Sequence, residues 1–300
     1  MKKNQLYVAV MLCLQIFWPA QSLAADAVVP RLKEELLKQE QIYQGRGEQR
    51  LEGYVIDRSL LSYIYTLSAG FDRALAKLGA KERWLDIGAG RGQAVLDYFA
   101  GRFDAMNVDL GEKRGEKAQV VAVSIEDRTT ALWHQAAANL APGQMRYLAG
   151  KRLREYAPGE LGRFQLITDV IGGFSYSTDL ALFVERVFSL LEVNGSFYTV
   201  LQDIHAEGGT NKPYYADKPS YTGARYLTEI TKADGSEVRV CSWLKSITCA
   251  QVTCELKAGW QPPIEVFHMR KVCDDVKVPV LSAVRYEAGT PPEREFRLAN

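Results

Sequence analysis

Residues 84–92 read WLDIGAGRG and combine residue types that can hold a polar ligand. A short apolar run contains Asp86, and Gly88, Gly90 and Gly92 then follow at spacings of two. A glycine loop between a strand and a helix brings backbone N–H groups and the positive end of the helix close to an anionic or strongly polar ligand. The dinucleotide fingerprint G-x-G-x-x-G would need glycine at position 93, where this chain has Gln93. A nicotinamide-dependent oxidoreductase is therefore disfavoured.

The residues around this loop predict alternating strands and helices. Apolar residues at helical spacing predict a helix over 54–78, ended by Gly79, and the strand Arg83–Ile87 follows. Further strands are predicted at Gln119–Ile125, Met145–Leu148, Gln165–Thr168 and Ser196–Leu201, and helices at Gln93–Phe99, Thr129–Leu140 and Leu180–Leu191. This alternation predicts an α/β fold with a doubly wound parallel sheet, because its crossovers must be right-handed.

The pattern changes after Gln202. A polar loop and an alternating segment around Asp234 and Gly235 predict a β-hairpin and loop insertion over residues 204–243. A helix is predicted over 245–257, followed by strands at Ile264–Arg270 and Val278–Tyr286 that could pair antiparallel. The tail over 291–300 is predicted to be a surface segment.

The motif Leu85–Gly92 and the order of elements from about Tyr54 to Tyr286 resemble the class I S-adenosylmethionine-dependent methyltransferases. The resemblance implies a seven-stranded, mostly parallel sheet of that family's type and S-adenosyl-L-methionine as the cofactor. It also implies that four residues surround the methionine part of the cofactor: Asp86, Gly88, Gly90 and Gly92. A ligand with an ammonium, a carboxylate and a sulfonium needs a carboxylate and exposed backbone amides, and larger side chains would block its approach.

The resemblance further implies an acidic residue after strand two that accepts both ribose hydroxyl protons. Glu126 closes the strand QVVAVSI, whereas Asp109 stands 17 residues after Gly92, at the usual distance from the loop. We favour Glu126, because QVVAVSI is the better buried strand, and residues 101–117 then form an insertion. If Asp109 is the ribose ligand, the order of elements has to be redrawn. Asp169 is expected at the cofactor-facing position after strand four.

Two segments depart from the family pattern. Lys151 and Arg152 follow strand three, where the family often has an acidic residue near the adenine amine. The segment ITDVIGGFSYSTD lacks the N-P-P-Y type signature of methyltransferases that act on planar amines. Methylation of adenine or of an amide nitrogen is therefore not expected.

The candidate catalytic residues follow strands four and five. Methyl transfer from a sulfonium is an in-line displacement that depends mainly on proximity, although a hydroxyl or carboxyl acceptor can need a base. Ligands of open α/β sheets bind at the carboxyl edge, so His205 and Tyr176 are the predicted catalytic residues. Tyr214, Tyr215 and Tyr221 are expected to cover an acceptor pocket. Each of these residues has an ordinary alternative as a packing or loop residue.

The first residues predict an export signal. Lys2 and Lys3 precede an apolar run that is shorter than the roughly 20 residues needed to span a bilayer, and small residues lead to Ala24. We therefore expect a signal peptide over 1–24, a helical extension over 25–53 and a methyltransferase-like domain over 54–290. The protein is expected to be periplasmic or secreted, with no stable membrane anchor after cleavage. Because 37 basic residues balance 36 acidic ones, no nucleic-acid partner is expected.

Four cysteines lie outside the predicted signal peptide: Cys241, Cys249, Cys254 and Cys273. An even number in an exported chain predicts two disulfides, with three possible pairings left open. The gaps of seven, four and eighteen residues do not suit the paired ligands of a zinc site, so no metal is expected. Buried free thiols are the alternative in a reducing cytosol.

Two functions remain from the sequence. The leading one is methyl transfer from S-adenosylmethionine to an unidentified small-molecule or protein acceptor by an exported enzyme. The alternative is a non-catalytic periplasmic or secreted protein that uses the same fold to bind a ligand. The expected partners are S-adenosylmethionine and the unknown methyl acceptor.

Overall fold

The computed structural model describes residues 58–103, 108–109, 118–157, 159–201, 228–257, 264–287 and 293–299. Its α-helices are α1 Leu60–Thr66, α2 Ala69–Ala76, α3 Gln93–Ala100, α4 Ala131–Ala138, α5 Gly173–Tyr176, α6 Leu180–Leu190 and α7 Val240–Lys245. Its strands are β1 Arg83–Ile87, β2 Arg102–Phe103, β3 Val108–Asp109, β4 Gln119–Ser124, β5 Met145–Ala149, β6 Phe164–Asp169, β7 Leu191–Leu201, β8 Thr228–Thr231, β9 Glu237–Val238, β10 Ala250–Lys257, β11 Ile264–Lys271, β12 Leu281–Glu287 and β13 Glu293–Leu298. The predicted signal peptide and helical extension lie outside the described residues, as do His205, Tyr214, Tyr215 and Tyr221.

A seven-stranded sheet in the order β10-β11-β7-β6-β1-β4-β5 lies at the centre of the described part. Strands β5, β4, β1, β6 and β7 run parallel, and β11 runs antiparallel to both of its neighbours. The chain passes from β1 to β4 and β5 and then returns to β6 on the other side of β1, so the strand order reverses between β1 and β6. This arrangement confirms the predicted doubly wound, mostly parallel sheet of seven strands.

Hydrophobic clusters cover both faces of this sheet, and β1 contributes to each. Successive side chains of a strand point to opposite faces. Trp84 packs with residues of α1 to α4, whereas Leu85 and Ile87 pack with residues of α6 and α7. Fully burying one such side chain stabilises the fold by roughly 1.5–3 kcal/mol. The sheet is therefore buried on both faces, and a polar residue on β1 such as Asp86 must find its partners inside the protein.

The single helix predicted over 54–78 is wrong, because the structure has two helices, α1 and α2, there. Leu67 and Ser68 separate them in extended backbone conformation, with ψ angles of 170° and 158°. Leu67 nevertheless stays buried, so the apolar spacing continues across the break. The second helix ends at Ala76 and does not extend to Gly79.

The helix predicted over 245–257 is also wrong, since most of this segment forms β10. The strand pairs with β11 over its whole length, from Ala250 opposite Lys271 to Lys257 opposite Ile264. Its first six residues alternate between partly buried and exposed, which is the period of a strand. Tertiary pairing here overrides the helix propensity of residues such as Glu255 and Leu256.

A second sheet has the order β12-β13-β8-β9. The predicted hairpin around Asp234 and Gly235 is confirmed as β8 and β9. The predicted pairing of the last two strands is wrong, because β11 pairs with β7 and β10 while β12 pairs with β13. Strand β13 comes from the predicted surface tail, yet Phe296 within it is buried.

Arg294 of β13 joins this second sheet to the segment that follows β6. Its Nη1 atom donates hydrogen bonds to the carbonyl oxygens of Phe174 at 2.8 Å and Ser177 at 3.1 Å. Its Nε and Nη2 atoms donate to Thr228 Oγ1 at 3.1 Å and 2.6 Å. Complete burial lowers the pKa of the guanidinium to about 10. Because a buried cation needs hydrogen bonds, this network fixes the segment after β6 against β8 and β13.

Arg294→Met is expected to lower the free energy of unfolding by about 1–3 kcal/mol, because two carbonyls and one hydroxyl lose a buried donor. Denaturant titration measures this change. Arg297→Met is the matched control on the same strand, since Arg297 is exposed, and we expect it to change stability by less than about 0.5 kcal/mol. Equal stability of the two variants would contradict the role given to Arg294.

Two disulfides hold the strand β10 against its neighbours. Cys241 of α7 bonds to Cys254 of β10, and Cys249, just before β10, bonds to Cys273, just after β11. The Cα–Cα distances are 6.1 Å and 5.1 Å, within the usual range for disulfides. The structure therefore confirms two disulfides and selects one of the three pairings that the sequence leaves open.

None of the helices in the described ranges combines the length and the apolar character needed to cross a bilayer.

Candidate functional site

Asp86 and Asp169 lie at the carboxyl ends of the neighbouring strands β1 and β6, where the strand order reverses. In the register of these strands, Asp86 is opposite Thr168 and Ile87 is opposite Asp169. Both aspartates have no solvent exposure. In open α/β sheets the crevice at such a reversal is the place where ligands bind. The topology therefore points to this edge as the candidate site, with two buried carboxyl groups beneath it.

Asp86 is held by hydroxyl groups from two different elements. Tyr63 of α1 donates its phenolic hydrogen to the carboxylate, with O–O distances of 3.0 Å and 3.2 Å, and the Thr168 hydroxyl donates at 2.7 Å. The indole nitrogen of Trp84 in turn donates to Thr168 Oγ1 at 2.7 Å. Burial raises the pKa of Asp86 to about 7, although the two hydroxyl donors lower it. The group therefore changes its charge near neutral pH.

Asp169 is used by the backbone that follows β6. Its Oδ1 atom accepts a hydrogen bond from the Gly172 amide at 2.7 Å, and its Oδ2 atom accepts one from the Phe174 amide at 2.9 Å. Burial raises the pKa of this carboxyl group to about 7, whereas the amide donors lower it. The oxygens of Asp169 thus organise the loop and the start of α5, and the predicted contact of Asp169 with the cofactor stays a prediction.

The loop after β6 also carries backbone strain. Ile171 has a φ of 56°, in the left-handed region that β-branched residues rarely adopt. A Cβ atom at Gly172 would lie 2.7 Å from Asp169 Oδ1 and 2.9 Å from the Ile87 carbonyl oxygen. Only glycine fits at position 172, and the loop is thereby drawn down onto the end of β1.

The three glycines of the motif have different surroundings. Gly88 is exposed and has a φ of 71°, and a Cβ atom there would lie 2.9 Å from the Gly172 Cα atom. Gly92 is buried and packs against the ring of Trp133, which a Cβ atom would overlap. The Gly90 carbonyl accepts a hydrogen bond from the Tyr147 hydroxyl at 2.5 Å. Gly88 thus opens towards the crevice, whereas Gly92 allows close packing of α4 beneath the loop.

Glu126 follows β4, the strand that lies next to β1 in the sheet. The side chain of Glu126 is 33% exposed and forms an ion pair with Arg128. The Tyr147 hydroxyl, which bonds Gly90, also lies 3.3 Å from the Glu126 carbonyl oxygen, so Glu126 is close to the glycine loop. Asp109 lies in β3, which pairs with β2 in a separate two-stranded sheet. The choice of QVVAVSI as the strand beside β1 is therefore confirmed, and the contact of Glu126 with ribose stays a prediction.

Of the other residues singled out from the sequence, the structure describes Tyr176 and Lys151 but not His205. Tyr176 is the last residue of α5, half-buried on the segment that Asp169 and Arg294 hold. Lys151 forms a 2.8 Å ion pair with Glu160 at the surface. His205 lies outside the described residues, so its role as a base stays a prediction.

Sequence reasoning missed Tyr63, which belongs to the site through α1. The α1 helix is anchored to α3, because the Leu60 amide donates to Asp97 Oδ2 at 2.8 Å. Burial raises the pKa of both Asp86 and Asp169, and the charge of Arg58, just before α1, partly opposes this rise. The serine at position 59, which caps α1 by accepting from the Ser62 amide, was an available signal for the start of this helix.

Comparisons with known proteins return structural matches only, since no family model and no curated protein matches the chain. An S-adenosylmethionine-dependent methyltransferase from Thiobacillus denitrificans, in complex with S-adenosyl-L-homocysteine, is 15% identical with a TM-score of 0.29, and the match covers 44% of this chain and 46% of that one. An rRNA methylase from Streptococcus thermophilus is 12% identical with a TM-score of 0.37, covering 68% of this chain and 95% of that one. The N-methyltransferase NodS from Bradyrhizobium japonicum is 10% identical with a TM-score of 0.37, covering 68% and 93%.

This chain thus spans less than half of the length of the Thiobacillus protein. Identities and scores of this size do not assign an activity. The fold is assigned on the strand order and the glycine loop described above.

Proposed function

We propose that this protein binds S-adenosylmethionine at the crevice between β1 and β6 and transfers its methyl group to a small-molecule or protein acceptor. One observation carries the proposal: a completely buried carboxylate, Asp86, lies near the end of β1, two positions before an exposed glycine, Gly88, at the reversal of the strand order. This combination offers a negative charge and accessible backbone at the same point. The carboxylate suits a cationic group of a ligand, and the exposed glycine leaves space for a large one.

The residues of the crevice fit the chemistry of this cofactor. Asp86 can accept a hydrogen bond from an ammonium group, and Gly88 leaves room where any side chain would strike Gly172. Glu126, on the far side of the glycine loop, is proposed to accept hydrogen bonds from the ribose hydroxyls. The Tyr147 hydroxyl, bonded to Gly90, supports the geometry of this loop.

The described residues would act by binding and orientation. S-adenosylmethionine supplies an electrophilic methyl group on a sulfonium, and holding an acceptor in line with it can contribute a large part of the rate enhancement. We propose that the strained segment after β6, which Asp169 and Arg294 hold, forms the wall of the acceptor side. Tyr176 lies on this segment, and Tyr176 and His205 remain our candidates for proton transfer where the acceptor needs it.

The two disulfides support the proposal that the protein works in an oxidising compartment, because stable disulfides are rare in the cytosol. Together with the signal-like sequence over 1–24, they favour export. An exported methyltransferase would need a source of cofactor outside the cytosol in which that cofactor is made. We therefore propose that the protein binds its cofactor outside the cytosol, after export.

Calorimetric titration with S-adenosylmethionine, and separately with S-adenosylhomocysteine, tests the cofactor. We expect saturable binding of both at micromolar concentration or tighter. Failure of both ligands to bind the disulfide-bonded protein would refute the proposal. Tight binding without methyl transfer to any member of a panel of hydroxyl, carboxyl and amine acceptors would favour the alternative of a non-catalytic ligand-binding protein.

A further inference from the structure

The disulfide between Cys241 and Cys254 lies beside a buried carboxylate. Glu265 is 4% exposed, and one of its carboxylate oxygens and the two sulfur atoms all lie within 4.8 Å of one another. Among the residues that the structure describes, this is the one group of three cysteine, histidine or acidic side chains whose ligand atoms come so close together. The other disulfide, Cys249–Cys273, belongs to no such group in the described ranges. The two disulfides therefore have different surroundings.

The register of the main sheet fixes the positions of this group. Cys254 of β10 is opposite Phe267 of β11, so Glu265, two positions earlier on β11, is its diagonal neighbour on the same face of the sheet. Cys241 lies in the first turn of α7 and packs in the same hydrophobic cluster as Phe267. The carboxylate is held by an ion pair, with 3.4 Å between Arg239 Nη2 and Glu265 Oε1. Two strands and one helix thus bring the three side chains together.

The disulfide itself gives no reason for a carboxylate at this place, because it carries no charge and donates no hydrogen bond. The reduced cysteines are different, since two thiolates and one carboxylate form a ligand set for a thiophilic divalent cation such as Zn²⁺. Ligand atoms around one tetrahedral zinc ion lie about 3.3–3.8 Å apart. Rotations of the side chains are therefore enough to bring three atoms that lie within 4.8 Å of one another onto one ion.

We propose that Cys241, Cys254 and Glu265 bind a zinc ion when the disulfide between the two cysteines is reduced. One Zn²⁺ displaces the two thiol protons, and a water molecule takes the fourth position of the ion. The same two sulfur atoms form either the disulfide or the metal site, but never both. Spacing along the chain does not indicate this site, because the cysteines are 13 residues apart and the carboxylate comes from another strand. The inference goes beyond the proposed methyl transfer and does not rest on it.

The test compares Zn²⁺ binding by the purified full-length protein before and after reduction. A water-soluble phosphine reduces the disulfides under anaerobic conditions: the phosphine is oxidised to its oxide with oxygen from water, and each disulfide takes up two electrons and two protons. Calorimetric titration with Zn²⁺ measures affinity, and titration with Co²⁺ reports thiolate ligation through charge-transfer absorption. We expect the reduced protein to bind both ions at this site and the disulfide-bonded protein to bind neither there. Mg²⁺ prefers oxygen ligands and should not bind in either state.

Three variants separate this group from the other thiols of the chain. The matched control is Cys249→Ser/Cys273→Ser, which removes the other pair and should keep the wild-type affinity for Zn²⁺ after reduction. In Cys241→Ser/Cys254→Ser the charge-transfer absorption of this site should be lost. Glu265→Gln keeps both disulfides and the size of the side chain. Loss of a partner that only orients a ligand costs roughly 10- to 100-fold in metal affinity, so loss of this ligand should cost at least as much.

Thermal unfolding of each variant before reduction checks that it folds, and Glu265→Gln keeps the test valid if a cysteine variant does not. The inference is overturned if the reduced wild type binds no Zn²⁺, or if Glu265→Gln binds it as tightly as the wild type. Binding that is lost in Cys249→Ser/Cys273→Ser and kept in Cys241→Ser/Cys254→Ser would also overturn it. None of these results depends on S-adenosylmethionine, so the proposed function stands or fails separately.

Discussion

Gly88→Val is expected to weaken the binding of S-adenosylhomocysteine by roughly 100-fold or more. The φ of 71° at this position is disfavoured for a β-branched residue, and the new Cβ atom would lie 2.9 Å from the Gly172 Cα atom. Because that neighbour is backbone, relief requires the glycine loop and the loop after β6 to move apart. Isothermal titration calorimetry of the variant measures the loss.

Gly235→Val is the matched control for the strain of this substitution. Gly235 has a φ of 80° in the β8–β9 hairpin, and nothing lies within 4 Å of the position that its Cβ atom would occupy. Both variants carry the penalty of a left-handed valine, but only Gly88→Val disturbs the crevice. Loss of affinity in both variants would attribute the effect to general destabilisation, and unchanged affinity in Gly88→Val would remove Gly88 from the site.

Asp86→Asn is expected to weaken ligand binding about 10- to 100-fold and to raise the stability of the free protein at pH 8. The pKa of Asp86 is raised to about 7 in the folded protein from 3.8 in the unfolded chain. The folded state therefore binds this proton more tightly, so the contribution of Asp86 to stability is greatest below about pH 4 and is lost as the pH rises through 7. Asparagine resembles the protonated carboxyl group and does not ionise, so Asp86→Asn should not lose this contribution to stability as the pH rises.

Two measurements over pH separate the charge from the shape of residue 86. Urea unfolding gives the free energy of unfolding of the wild type and of Asp86→Asn at pH 5 and pH 8. Relative to the wild type, the variant should be more stable at pH 8 than at pH 5. Between pH 6 and pH 7.5 an α-amino group stays largely protonated, so wild-type affinity should rise as Asp86 ionises, and the variant should lack this rise. Asp275→Asn serves as the control, because the Asp275 side chain is 81% exposed. If Asp86→Asn shows the same dependence of stability and affinity on pH as the wild type, Asp86 does not titrate in this range.

The sheet edge that holds the site was predictable because its signals are local. Strand β1, the helix behind it and the glycines between them are contiguous in sequence; the predicted strand has the observed bounds, and the predicted helix ends one residue before the observed one. Strand β10 was mispredicted because its alternation is partial and its lysine, glutamate and leucine residues also suit a helix. Its pairing with β11 is a contact between separate segments, which local propensity does not report.

The sequence predicted the site residues themselves better than it predicted their hydrogen-bond partners. Asp86 and Tyr63 are 23 positions apart, and Arg294 reaches Phe174 across 120 positions. Nothing in the spacing of these residues distinguishes Tyr63 from the apolar residues with which it alternates on α1. Likewise, the sequence placed Asp169 correctly at the end of its strand but did not indicate that backbone amides would occupy its oxygens.

The fluorescence of Trp133 can report on the conformation of the glycine loop. Its indole ring is buried against Gly92, and it meets the ring of Tyr147 edge-on, with centroids 5.3 Å apart. Since the Tyr147 hydroxyl is bonded to the Gly90 carbonyl, any rearrangement of the loop alters the surroundings of the indole. Fluorescence emission that shifts on ligand addition, and no longer does so in Trp133→Phe, would follow this loop in real time without any added label.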